Sequence, residues 1–338
     1  MLDWFSSPEF AILVGFHVFI LGMLALDLGV FHRNPHAISR QEAAIWSFVW
    51  VALAGLFAWG IWNHWDLWQP DQGEKGPEKA IEFITGYLVE KALSLDNLFV
   101  FLVIFRYFGV PAHLQPRILM WGVLGAVAFR AILILLGATV LHVFHGLLVV
   151  FGVFLIYSAY RLLRGVKEEI DPERNWLLRL ARRFLPIVAS YDSPRFWVRQ
   201  QGHWHATMLP LVLLVVETTD VIFALDSIPA IFGITQDIFI IYTSNIFAIL
   251  GLRALYFLLT GFMEVFRYLN VGLALVLGFI GIKMTLERWI NPILESWGIE
   301  KREQVLLALA VVVAVLTGTA IASVWVGPKA TEELELDL

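Results

Sequence analysis

The chain has 338 residues, of which 59% are hydrophobic, 16% are charged and none is cysteine; its net charge is −5. Soluble domains carry about 25% charged residues, and the mean hydropathy here is +0.74, which excludes a soluble globular domain, a disordered chain and a disulfide-rich secreted module. The apolar residues run in blocks of roughly 20, the length of a membrane-spanning helix, which disfavours an outer-membrane barrel of alternating strands.

In chain order, the acidic start from Met1 to Glu9 lacks a positive leader region, so the first apolar run is expected to be an uncleaved span. Apolar runs fall at about 10–31, 43–65, 80–106, 116–138, 141–163, 207–232, 237–262, 268–286 and 304–326, predicting nine transmembrane helices. The expected fold is all-α, a polytopic membrane helical bundle. It divides into a two-span N-terminal hairpin (1–79), a three-helix unit (80–163), a loop (164–206), a second three-helix unit (207–286), and a last span with an acidic tail (287–338).

Lys and Arg set the orientation of such a chain. With the N-terminus outside, 15 of the 24 fall on the cytoplasmic side, five fall outside and four lie within spans. The expectation is N-outside and C-inside, in a bacterial inner membrane. In the long loop, Leu177, Leu180, Ala181, Phe184 and Val188 recur at helical spacing, with Arg179, Arg182 and Arg183 between them. This predicts a basic amphipathic helix on the inner leaflet, with a regulatory or partner-binding element as the alternative. His203 and His205 have no further ligands nearby and read as a solvated pair. The tail residues Glu332, Glu333, Glu335 and Asp337 read as a solvated end.

The informative charges lie inside the spans. The third span carries Glu90, Lys91, Ser94, Asp96 and Asn97; the sixth carries Glu217, Thr218, Thr219, Asp220, Asp226 and Ser227. At about 2.5–3.5 kcal/mol for each ionised carboxylate, five cost roughly 12–18 kcal/mol in a bilayer. They must be neutralised by protons, by basic partners or by a bound cation. Lys91, Arg130, Arg253 and Lys283 are available as ion-pair or gating residues. Four cations leave one carboxylate over, and pairing alone leaves the clustered hydroxyl and amide oxygens unexplained. An ion or proton pathway is therefore favoured over structural pairing.

On regular helices Glu90, Ser94 and Asn97 share one face, as do Glu217, Asp220 and Ser227. Pro229 is expected to break the sixth span and free a carbonyl beside Asp226. Asp27 is either an entry ligand or an interfacial partner of Arg33.

The two acidic spans also match each other. Glu90 and Asp96 are six apart, as are Asp220 and Asp226. Leu95-Asp96-Asn97 aligns with Leu225-Asp226-Ser227, and the following spans carry Arg130-Ala131 and Arg253-Ala254; Gly152 and Gly278 align loosely in the third members. Spans 3–5 thus resemble spans 6–8, with opposite orientation by the charge count. Two inverted three-helix repeats are expected, with the site at their interface.

The strings Glu90-Lys-Ala-Leu-Ser-Leu-Asp-Asn97, Glu217-Thr-Thr-Asp-Val-Ile-Phe-Ala-Leu-Asp-Ser-Ile-Pro-Ala230 and Asp27-Leu-Gly-Val-Phe-His-Arg33 resemble the TerC family of bacterial membrane proteins, in its longer Alx branch. The resemblance covers roughly residues 20–326. It implies an inner-membrane protein linked to tellurite resistance, alkaline response and metal homeostasis, with manganese export the best-argued activity. Related transporters of the LysE-like superfamily are built on inverted three-helix repeats. The family's acidic positions fall here on Glu90, Asp96, Glu217, Asp220 and Asp226. A redox-modulator label fits a cysteine-free chain only as an indirect effect.

The expected function is efflux of a divalent cation, Mn²⁺ favoured, in exchange for protons. Oxygen ligands suit Mn²⁺, Mg²⁺ or Ca²⁺. Asp96 and Asp226 are the foremost expected ligands, with Glu90, Glu217, Asp220, Asn97 and Ser227 completing the set. The metal is a transported substrate; no organic cofactor, enzymatic activity or nucleic-acid partner is expected. The partners are the lipid bilayer, the cation and protons, with a homo-oligomer or a stress-protein partner left open. The alternative is a non-transporting redox or stress modulator acting through the 164–206 loop.

Overall fold

The structure is a computed structural model that describes residues 14–23, 39–68, 75–144, 146–164, 176–184, 186–188, 191, 195–200, 202–259, 268–299 and 301–326. Asp27, Arg33 and the acidic tail lie outside the described residues. The elements in order are α1 (Val14–Met23), α2 (Arg40–Trp68), α3 (Gly76–Tyr107), α4 (Gln115–Val143), α5 (Leu147–Leu163), α6 (Trp176–Phe184), β1 (Trp197–Gln200), β2 (His203–Ala206), α7 (Met208–Phe232), α8 (Ile238–Leu250), α9 (Leu252–Leu259), α10 (Leu269–Ser296) and α11 (Lys301–Val326).

Proline near the N-terminus starts α3 and α4, where the missing N–H would have no partner in any case. Thr207 caps α7 by accepting from the Leu209 amide, and Asp237 caps α8 by accepting from Phe239 and Ile240. By length and composition, five described helices can cross a membrane, or six if α8 and α9 form one bent span. α3 has 32 residues, long enough to span, but it carries Glu82, Glu90, Lys91 and Asp96 along its length. α5 has 17 residues. Large side chains such as Phe48, Leu56, Ile132, Leu135, Leu307 and Val324 are exposed on the outer faces. In a polytopic membrane protein those faces meet lipid, where backbone polar groups must be satisfied within each helix. The chain is thus an all-α polytopic membrane protein.

The helices pack in matched pairs. α3 packs on α8 and α7 packs on α4, while α3 and α7 also touch each other. α5 and α10 run against one another along their lengths. Exchanging the triplet α3, α4, α5 with α7, α8, α10 swaps the first two pairings and leaves α3–α7 and α5–α10 unchanged. α5 and α10 approach closely because Gly152 and Gly281 meet at the crossing: a Cβ on Gly152 would stand 2.8 Å from the Gly281 carbonyl oxygen.

Two local expectations are corrected. Pro229 does not break α7, which continues to Phe232; the proline lies close enough to the C-terminus that few later residues depend on the lost bond. The break is in the seventh span, where α8 and α9 bend by 40° about Gly251. In α6, Leu178 is buried and Leu180 is exposed. α6 docks on α7.

The segment after α6 folds back onto the bundle. The β1–β2 hairpin pairs Trp197 with Ala206 and Arg199 with Trp204, turning at Gly202 with φ +86, a conformation suited to glycine. The Tyr191 hydroxyl donates to the Phe108 carbonyl at 2.7 Å, and Arg117 lies 5.6 Å from the centre of the Phe196 ring.

Candidate functional site

α3, α4, α7 and α8 each contribute a buried polar side chain to one cluster. At its centre is Arg130 of α4, 1% exposed, a charge that must be paired at that depth. Nη1 donates to Glu90 of α3. Nη2 donates to Asp220 Oδ1 of α7 at 3.3 Å, and Nε reaches Asp220 Oδ2 at 3.5 Å. Nη1 also donates to Ser227 Oγ at 3.2 Å and to Asn245 Oδ1 of α8 at 3.3 Å. A planar guanidinium suits this work because its donors point in fixed directions toward several acceptors.

Glu217 stands one turn before Asp220, whose charge acts on it. Its carboxylate lies against α4 at Gly125, where any Cβ would overlap it. Glycine at that position makes room for the acid. Glu90 and Asp220 thus share Arg130, the one basic side chain within bonding distance of either among the described residues, while Glu217 stands apart against Gly125, with Asp220 the one charged group acting on it among the described residues. If all are ionised, two negative charges remain. Glu90 Oε2, Glu217 Oε2, Ser94 Oγ, Tyr87 Oη and Asn245 Nδ2 are buried with no hydrogen-bond partner among the described residues, whereas buried polar groups ordinarily have one.

The other expected residues stand elsewhere. Asp226 accepts from Ser158 Oγ of α5 at 2.8 Å, and it is half-buried, as is Asp96. Asp96 and the buried Asn97 lie six and seven residues beyond Glu90, about 9 Å along α3. Arg253 is buried on α9. Lys91 donates to the Ala248 carbonyl at 3.1 Å and Lys283 to the Gly233 carbonyl at 3.3 Å. Among the described residues no three His, Asp or Glu side chains are close enough together to hold a metal ion. The expected ligands are thus divided: Glu90, Asp220 and Ser227 around Arg130, Glu217 against Gly125, and Asp226 beside Ser158.

Asn245 and Ser158 were missed by the sequence reading. The triplet Thr243-Ser244-Asn245, buried throughout in a strongly apolar helix, was the signal for Asn245. Ser158 carries none beyond being a hydroxyl within a span.

A second ionic layer lies two turns nearer the start of α3. Lys79 bridges Glu82 at 2.9 Å and Asp237 at 3.2 Å, and Thr235 Oγ1 donates to Glu82 at 2.6 Å. Lys301 of α11 reaches Glu78 at 3.2 Å and Glu82 at 3.7 Å. Lys283 is within electrostatic reach of Glu82 and Glu287. Here acids and bases alternate, in contrast to the acid excess around Arg130.

The family model for the integral membrane protein TerC family matches residues 75–331. The chain is 50% identical over 272 residues to "Uncharacterized membrane protein STKORF319" of Myxococcus xanthus, covering 80% of this chain and 82% of that one. It is 46% identical over 287 residues to "Putative membrane-bound redox modulator Alx" of Escherichia coli K12, covering 84% and 89%. It is 45% identical over 214 residues to "Thylakoid membrane protein TERC, chloroplastic" of Arabidopsis thaliana, covering 63% and 56%. No solved structure matches. With the family model matching through the helices that build the Arg130 cluster, the chain belongs to the TerC family of integral membrane proteins.

Proposed function

We propose that the chain is a carrier of a divalent cation, Mn²⁺ favoured, that exchanges the metal for protons. The observation that carries this reading is the acid excess on α3 and α7: Glu90 and Asp220 share one guanidinium, and Glu217, one turn before Asp220, lies against Gly125 with no base acting on it among the described residues. One divalent cation or two protons would fill the same deficit. The unpartnered Glu90 Oε2 and Glu217 Oε2 are the oxygens the cation would take first, and carboxylate and hydroxyl oxygens suit Mn²⁺, Mg²⁺ or Ca²⁺. Asp96 with Asn97, and Asp226 with Ser227, are ligands or way-stations farther along α3 and α7. The matched helix pairings support two inverted repeats meeting at the site. On this reading the chain is no enzyme, and it lies in a bacterial inner membrane with its N-terminus outside.

The test is flux of Mn²⁺, Mg²⁺, Ca²⁺ and Zn²⁺ in proteoliposomes across a pH gradient, for the native chain and Glu217→Gln. The native chain should move Mn²⁺ against an opposed proton flow. Glu217→Gln should lose flux by about tenfold or more at unchanged folded yield. Equal flux in the two proteins, or no divalent flux at all, refutes the carrier.

The second reading is a non-transporting modulator, favoured by the redox name of the Alx relatives and by exposed Trp197 and Trp204 on the docked hairpin. A chain without cysteine would exert such an effect through a partner. Replacing residues 195–206 with a neutral linker while keeping the acids separates the two: the carrier retains flux, and the modulator loses its cellular effect.

A further inference from the structure

Lys91 follows Glu90 in sequence, but its ammonium is not part of the Arg130 cluster. Nζ donates to the Ala248 carbonyl at 3.1 Å, near the C-terminal end of α8. The chain bends there by 40° about Gly251, and a Cβ on Gly251 would stand 2.5 Å from Nζ. The face of Tyr87, one turn back on α3, has its centroid 6.0 Å from Nζ. A carbonyl oxygen, the negative end of a helix and an aromatic face each favour a cation. Among the described residues no carboxylate pairs with Lys91, and no charged group acts on it. Lys283 differs: it also donates to a helix-end carbonyl, but Glu82 and Glu287 act on it.

We propose that the bend between α8 and α9 forms a monovalent-cation seat whose resident is the Lys91 ammonium. Once that ammonium is removed, the same carbonyl end and ring face take a small monovalent cation such as Na⁺, K⁺ or NH₄⁺. The seat is monovalent because its groups are neutral dipoles; a divalent ion ordinarily requires carboxylates. Gly251 serves it by leaving room for the cation. The seat links α3, beside Glu90, to the break in the seventh span, so whatever occupies it fixes the position of α8 against α3.

The experiment is thermal unfolding of the purified full-length chain in detergent, native against Lys91→Ala and Lys91→Gln, with no divalent metal present. Each protein is titrated with NaCl, KCl or NH₄Cl, replacing N-methyl-D-glucamine chloride at constant ionic strength. Lys91→Ala should gain about 3 °C, saturably, in at least one small cation, while the native chain stays flat. Lys91→Gln, which keeps a donor for the Ala248 carbonyl, should respond in the same direction and less. A flat response in both variants, or an equal response in the native chain, overturns the seat. Recovery of folded Lys91→Ala only from small-cation buffers supports it; if Lys91→Ala cannot be recovered in any salt, the Lys91→Gln titration decides. No divalent flux is measured, so the seat stands or falls separately from the carrier reading.

Discussion

Glu90 and Asp220 are held by opposite ends of one guanidinium, Glu90 on Arg130 Nη1 and Asp220 on Nη2 and Nε. The acids come from α3 and α7, and this base joins the two helices. Removing one member of a buried pair costs about 3–5 kcal/mol, because the other charge is left unpaired. Arg130→Met should therefore lose most of its folded yield. Adding Glu90→Gln and Asp220→Asn to that variant should recover much of it, since the stranded charges are gone. Thermal unfolding in detergent measures both steps, and an Arg130→Met variant as stable as the native chain would refute the pairing.

The helices were legible because each apolar run is long and the chain is rich in such runs. The acids were legible because a carboxylate amid leucines stands out. Their partners were not. Arg130 is 40 residues from Glu90 and 90 from Asp220, and four basic residues within spans offered no local rule for choosing among them. Periodicity placed Glu217, Asp220 and Ser227 on one face, and in the fold all three meet α4, Glu217 at Gly125 and the other two at Arg130. The bend at Gly251 was hidden since Pro229 was the stronger breaker by composition, and Pro229 falls where α7 is already ending. The hairpin carried little signal: its first strand, Trp197-Val198-Arg199-Gln200, does not alternate, and Gly202 alone marks the turn.

Gly152 and Gly281 make a prediction about packing. A Cβ on Gly152 would stand 2.8 Å from the Gly281 carbonyl oxygen and 2.9 Å from the Thr285 amide nitrogen. Alanine is the better helix former by about 1 kcal/mol, but backbone cannot yield as a flexible side chain does. Gly152→Ala should be destabilising by about 1–3 kcal/mol. Gly55 on α2 has nothing within 4 Å of its Cβ position, so Gly55→Ala should be neutral or stabilising by up to about 1 kcal/mol. Parallel melting curves decide, and equal behaviour of the two variants would count against the close crossing.

The layer around Glu82 separates buried from exposed pairing. Glu82 is fully buried and bridges Lys79, whose side chain is 8% exposed, while Lys301 is 69% exposed. Lys79→Met should cost about 3–5 kcal/mol by stranding Glu82. Lys301→Ala should cost under about 1 kcal/mol, since an exposed ammonium is well solvated without its partner. If the two substitutions cost the same, Lys79 does not hold the layer together.

Tyr191 makes the docking of the 186–206 segment sensitive to alkaline pH. Its hydroxyl donates to the Phe108 carbonyl at 2.7 Å, and burial pushes the phenol up to about 12, against about 10 for a free tyrosine. Between those two values the docked segment keeps a proton that an undocked one has released. Stability therefore falls as pH rises through that window, and below pH about 10 this group contributes no pH dependence. Tyr191→Phe should dock more weakly at pH 8, by about 0.5–1.5 kcal/mol for the lost hydrogen bond. It should also lack the alkaline loss attributable to the phenol. Limited proteolysis of the segment from pH 8 to 11.5 measures both, and subtracting the Tyr191→Phe curve removes the titration of lysines elsewhere. Native and variant curves of identical slope above pH 10 would show that the phenol is not held in its neutral form by docking.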